Sequence, residues 1–114
     1  HTLVMGTSGS IAINPSIYPK LPYDPVRDLL AITQTSEQVS ALALHPAVPA
    51  NSVKELIALA RSQPGKLNFS SAAHGSTGHL SGELFNLLAK VDTRHVPYKG
   101  SGPAAVALIA GEVQ

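Results

Sequence analysis

The stretch LNFSSAAHGSTGHLSGELFNLL at 67–88, followed by HVPYKGSGPAAVALIAG at 95–111, decides how this chain is read. In each, a short apolar strand runs into a Gly/Ser-rich loop that opens an amphipathic helix. TLVMGTSGS at 2–10 has the same beginning. A loop of this kind offers unpaired backbone N–H groups, small hydroxyls and the positive end of a helix dipole to one point, where an anion can sit. Anion binding is the leading expectation.

Outward from there, SVKE at 52–55 reads as a capping box, with Ser52 at the N-cap and Glu55 reaching back. Val53, Leu56, Ile57 and Ala60 supply a 3.6-period stripe before a stop at Gln63, Pro64 and Gly65. Leu67 to Ser70 is the next strand. Ser76 or Thr77 caps the helix that follows, with Leu80, Leu84, Leu87 and Leu88 as its core face. Thr93 to Tyr98 reads as a strand, and Ser101 to Ala110 as a helix with Pro103 in its first turn, where a missing N–H costs nothing. Upstream, Thr2 to Met5 reads as a short buried strand. Pro15, Pro19, Pro22 and Pro25 make the segment from Asn14 to Pro25 an irregular crossover. Ala31 to Thr35 and Val39 to His45 read as two strands, or as one interrupted near Glu37.

From Val39 the order is strand, helix, strand, helix, strand, helix, and a fourth strand can begin at Glu112. Such alternation implies an α/β fold with a parallel sheet and flanking helices. In a parallel sheet the loops that follow strands share one edge, so the loop from Ser70 to Ser76 and the turn from Lys99 to Ser101 are predicted to be neighbours. Residues 1–30 are too few to cover a sheet on both faces. The expected organisation is 1–38 as the remnant of a first lobe with the proline-rich crossover, and 39–114 as the βαβαβα portion of a second.

Composition removes several function classes. A net charge of +1 with 13% charged residues provides no basic field for a phosphate backbone, and five aromatics without Trp make a poor base-stacking platform. Nucleic acid is not an expected partner. The absence of Cys removes disulfides, thiolate nucleophiles and cysteine metal sites. No apolar run approaches the ~20 residues of a membrane span. With no initiator Met, the chain is read as a fragment, so a missing signal peptide carries no information.

The motifs divide between chemistry and plain structure. GSTGHL at 75–80 is either an ordinary N-cap or half of an anion site. YKGSGPAA at 98–105 places Gly100, Gly102 and Ala105 in a G-x-G-x-x-A pattern, but no acidic residue ~20 positions on is present to confirm a dinucleotide site. MGTSGS at 5–10 resembles a nucleophile elbow through Gly6 and Ser8, yet Ser10 stands where the second Gly is required. A nucleotide-using or serine-dependent enzyme domain is therefore the alternative, and no catalytic residue is assigned. The histidines at 1, 45, 74, 79 and 95 show no metal spacing. His74 and His79, five apart, are expected on different faces, and no metal site or cofactor is expected. His79 and His95 are read as satisfied structural residues, and His74 as a donor to an anion. Asp24, Arg27 and Asp28 read as turn and cap residues.

MGTSGSIAINPSIYPKLPYDPVRDL, HPAVPANSVKELIALARSQPGKLNFSSAAHGSTGHLSGELFNLLAKV and HVPYKGSGPAAVALIAGEVQ together resemble a central stretch of the Bug-type, or TctC-like, extracytoplasmic solute receptors of tripartite tricarboxylate transport systems. The resemblance covers essentially the whole chain. It implies a periplasmic, two-lobed binding protein of the Venus-flytrap type, which captures a small carboxylate and delivers it to membrane transporter subunits. It also implies that Thr7 and Ser8 belong to the first-lobe side of the cleft. Ser71, His74, Gly75, Ser76 and Thr77 would belong to the second-lobe side together with Lys99, Gly100 and Ser101. The family often has Gly-Asn where this chain has Ala73 and His74. No Arg lies in any of the three loops, so amides, hydroxyls and bridging water are the expected carboxylate contacts. As a fragment with open strand edges, the chain is expected to self-associate.

Overall fold

A computed structural model describes residues 2–114, which divide into two compact units with the boundary between Ser40 and Ala41. Each unit is built by different local chemistry.

In the first unit a π-helical turn, Gly9–Ile13, leads directly into the short helix α1, Asn14–Ile17. Pro15 sits in the opening turn of α1, where no N–H is missed. The Tyr23 hydroxyl donates to the Ser10 carbonyl at 2.6 Å and ties the proline-rich segment to the π-helical turn. Asp24 is a turn cap: its Oδ1 accepts the N–H groups of Val26 and Arg27 at 2.9 and 3.1 Å. Arg27 Nε donates to Asp28 Oδ1 at 2.8 Å, and this exposed contact holds the Asp28 carboxyl below its ordinary pKa.

The strands expected at Thr2 to Met5 and across Ala31 to His45 do not form. Leu3, Val4, Ile32 and Val39 are all exposed, and a strand needs a neighbour for its N–H and C=O groups as well as an apolar composition. Among the described residues no strand lies beside these segments.

From Val53 onward the second unit follows the predicted alternation, without the strand expected to precede it. Helix α2, Val53–Ser62, is capped by Ser52 Oγ, which accepts the Glu55 N–H at 3.2 Å. Glu55 reaches back one residue further than a standard capping box, accepting the Asn51 N–H at 2.7 Å. The stripe buries Leu56 and Ala60 against Ala50 and Leu67, with Leu44, Val48, Leu59, Phe85 and Val91 around them.

Strands β1, Asn68–Ser71, and β2, Arg94–Pro97, pair in parallel with Phe69 opposite His95 and Ser71 opposite Pro97. Helix α3, Thr77–Ala89, connects them, and α4, Ser101–Ile109, follows β2. Side chains alternate across a strand, so Phe69 and Ser71 face α3 while Ser70, whose hydroxyl donates to the Ala104 carbonyl at 3.2 Å, faces α4. The two helices therefore cover opposite faces of the pair.

The expected Leu80, Leu84, Leu87 and Leu88 face of α3 is not the buried one; Leu87 and Leu88 are 73% and 74% exposed. The helix meets β1 through Gly78 and Gly82 instead, and Phe85 packs against the α2 core. A Cβ at Gly82 would collide with the Phe69 ring, and one at Gly78 would lie 3.4 Å from Ser71 Cβ. The small residues let the backbone approach.

The fourth strand expected from Glu112 shrinks to a single pairing. The Gln114 N–H donates to the Asn68 carbonyl at 3.1 Å and its own carbonyl accepts the His45 N–H at 3.0 Å, which sets this segment against the β1 edge. No helix among the described residues is long and apolar enough to cross a membrane.

Candidate functional site

Two β-to-α turns leave the same edge of the sheet, as the parallel order requires. The Tyr98 N–H donates to the Ser71 carbonyl and the Gly100 N–H to the Ala72 carbonyl, both at 2.9 Å, so the expected neighbours are hydrogen-bonded to each other. Gly75 and Gly100 adopt φ of 72° and 114°, left-handed values that a side chain would strain, and these bends turn each loop into its helix.

Several amides that the pattern offered to an anion are engaged within the protein. Gly75 N–H donates to His79 Nδ1 at 3.1 Å, Ser76 N–H to the Ala73 carbonyl at 3.2 Å, and Gly100 N–H to Ala72. Ser76 caps α3: its Oγ accepts the His79 N–H at 3.2 Å. What an α-helix leaves open in its first turn are the N–H groups of Thr77 and Gly78 in α3 and of Ser101 and Gly102 in α4. Thr77, Lys99 and Ser101 are exposed beside them.

Behind the turns lies a polar cluster that spacing did not reveal. Ser71 is 5% exposed and its Oγ lies 2.6 Å from His95 Nε2. The same oxygen donates to the Ala73 carbonyl at 3.0 Å and accepts from Ser76 Oγ at 3.2 Å. With its only proton committed to Ala73, Ser71 accepts from His95, which places the imidazole proton on Nε2 and a bare lone pair on Nδ1. That Nδ1 is buried and has no hydrogen-bond partner.

The His95 ring stacks on His79, centroids 4.0 Å apart, and His74 stands edge-on to both at 5.0 Å. The expectation that His74 and His79 would diverge is overturned because His74 precedes α3 and is not subject to helical spacing. The reading of His95 as fully satisfied is overturned by its Nδ1. Burial, then His79 and His74 nearby, hold the His95 imidazole below its ordinary pKa, against a smaller opposing effect of Glu83. His79 and His95 were not among the sequence candidates; the signal was alternation, since Phe69, Ser71 and His95 must share the face that α3 covers.

Thr7 and Ser8 lie in the first unit. The Thr7 N–H donates to Ser10 Oγ at 2.9 Å, and Ser8 precedes the π-helical turn with both backbone angles helical and no side-chain cap. Both residues are exposed.

Comparison with known proteins gives these features a context. The family model described as "Tripartite tricarboxylate transporter family receptor" matches residues 1–114. A UPF0065 protein from the tcbD-tcbE intergenic region of Pseudomonas sp. is 37% identical over 99% of this chain and 33% of its own length. Protein BugT of Bordetella pertussis is 35% identical over 99% of this chain and 35% of its own. The chain thus spans about a third of these curated relatives. Among solved structures, one described as a periplasmic transporter superposes with a TM-score of 0.90 at 34% identity, over 96% of this chain and 37% of that one. MatC from Rhodopseudomonas palustris with bound malate gives 0.70 at 30% identity, over 92% and 36%. Rpa4515 of R. palustris with adipate gives 0.60 at 44% identity, over 61% and 23%. The chain belongs to the tripartite tricarboxylate transporter receptor (TctC) family.

Proposed function

We propose that this chain forms part of the binding apparatus of a periplasmic receptor that captures a small carboxylate and presents it to the membrane subunits of a tripartite transporter, without catalysing a reaction. The observation that carries the reading is the pair of turns joined by the Tyr98 to Ser71 and Gly100 to Ala72 hydrogen bonds, which brings two helix N-termini to one edge. The amides of Thr77, Gly78, Ser101 and Gly102, the Thr77 and Ser101 hydroxyls and the Lys99 ammonium supply the donors. Gly75 and Gly100 shape the turns, while Ser71 and Ser76 hold the cluster behind them and His74 borders it. Thr7 and Ser8 are proposed contacts from the first unit, on family likeness. The malate and adipate bound by two relatives support a dicarboxylate as the class to try first. The alternative of a nucleotide-using or serine-dependent enzyme draws no support from the family.

A thermal-shift screen of malate, adipate and citrate beside ATP and NAD tests the reading. A ligand at a hundredfold excess over its dissociation constant stabilises the folded state by about 2.7 kcal/mol, a shift of several degrees. A carboxylate is expected to give that shift, and Lys99→Ala to reduce it while leaving the unliganded melting point in place. Stabilisation by ATP or NAD and by no carboxylate would overturn the assignment.

A further inference from the structure

We propose that His74, His79 and His95 form a site for a divalent transition cation of the zinc class, held by three imidazoles with the fourth position open. One ring nitrogen from each residue lies within 4.8 Å of the others. Zinc bonds of about 2.0–2.1 Å at tetrahedral angles put ligand ring centres roughly 5 Å apart. The His74 ring already stands 5.0 Å from both others, while His79 and His95, stacked at 4.0 Å with planes 26° apart, must part by about the difference and the His79 ring must turn so that both in-plane lone pairs meet at the ion.

The independent mark of a ligating nitrogen is His95 Nδ1. It carries a lone pair, is shut away from solvent and has no donor, a state that a cation ligand would resolve. Ser71 Oγ then accepts the other ring N–H at 2.6 Å and fixes both tautomer and ring orientation, the usual outer partner of a metal-bound imidazole. His79 is oriented by the Gly75 N–H on its Nδ1. Ligation through that nitrogen displaces the Gly75 hydrogen bond; ligation through Nε2 moves the proton to Nδ1 and opposes it to the same N–H. Either route releases the Gly75 amide. Glu83 Oε1, 3.8 Å from His79 Nε2, places a negative charge at the rim. His74 is exposed and provides the way in.

The donors choose the ion. Neutral imidazole nitrogen suits Zn²⁺, Ni²⁺ and Cu²⁺, whereas Mg²⁺ and Ca²⁺ require oxygen. The site shares Ser71, His74 and Gly75 with the turns of the carboxylate reading but does not require a carboxylate to bind there.

The test is calorimetric titration of chelator-treated, tag-free protein with ZnCl₂ and, separately, with MgCl₂. Saturable binding of one Zn²⁺ and none of Mg²⁺ is expected, with the Zn²⁺ affinity weakened at least tenfold in His74→Ala and in His79→Gln, since loss even of an outer-shell partner typically costs 10 to 100-fold. Absence of saturable Zn²⁺ binding, or an affinity that either folded variant leaves within twofold, overturns the site. Should His79→Gln fail to fold, nitrogen NMR of the unaltered protein decides: Zn²⁺ must shift His95 Nδ1 and the Gly75 amide together, and resonances that stay in place overturn the proposal.

Discussion

Gly82→Ala isolates the contact on which the α3 side of the fold depends. The new methyl would overlap the Cε2, Cζ and Cδ2 atoms of Phe69. That half-buried ring also packs against the His95 imidazole, with centroids 5.0 Å apart, which restricts how it can shift. Alanine raises helix propensity by about 1 kcal/mol, while overpacking of a fitted contact costs about 1–3 kcal/mol. Three ring atoms overlap at once, so the steric cost falls in the upper part of that range and the net expectation is a loss of about 1–2 kcal/mol. At about 4–8 °C per kcal/mol for a small domain, the melting point should fall by several degrees. Gly102→Ala in α4 is the internal reference, since nothing lies within 4 Å of its added Cβ. It should be neutral or stabilising by a few tenths of a kcal/mol. Urea denaturation of both variants under one set of conditions reads the difference. If Gly82→Ala stabilised the protein as much as Gly102→Ala, the close approach of α3 to β1 would be wrong, and with it the enclosure of the imidazole cluster.

Asn86→Ala should cost about 1–3 kcal/mol by denaturation. It removes both hydrogen bonds to the Thr93 backbone, at 3.0 and 3.2 Å, and the 2.7 Å bond from Thr93 Oγ1, leaving the turn between α3 and β2 to its backbone hydrogen bonds alone. A stability unchanged within 0.3 kcal/mol, smaller than a typical net hydrogen bond, would remove that staple from the account. For Asp28, Arg27 first and the Asp24 N–H second hold the carboxyl below its ordinary value. A depressed folded pKa means the stabilisation is complete above the unfolded value of about 3.9 and is lost as pH falls through the lowered one. Carbon NMR titration should find Asp28 below that value and Arg27→Gln should return it upward; no movement on that substitution would refute the coupling.

What the sequence disclosed about the second unit was local and periodic. Ser52 and Ser76 sit at helix starts because a small hydroxyl can satisfy an N–H that the helix leaves open, and that chemistry needs no tertiary information. The neighbouring turns were legible for a different reason: consecutive parallel strands joined by helices have one way to arrange their exits. The histidine cluster was illegible from spacing because its members come from a loop, a helix and a strand. Only the pairing of Phe69 with His95 and the alternation along both strands bring them to one face.

The leucines of α3 show where periodicity stops informing. Leu80, Leu84, Leu87 and Leu88 share a face, as a 3.6-residue repeat demands, but a repeat says which side chains stand together and not which of two stripes meets the sheet. Apolar area alone favoured the leucines. Distance decided otherwise: β1 presents Phe69, whose ring needs the room that Gly82 leaves, and Gly78 gives Ser71 the space to turn its hydroxyl toward His95 and Ser76. A leucine at either glycine position would hold the helix off the strand and pull Ser76 away from Ser71. The helix N-terminus that carries the candidate anion donors would move with it, so the glycines that look like weak points in a helix are what seats the start of α3 against β1.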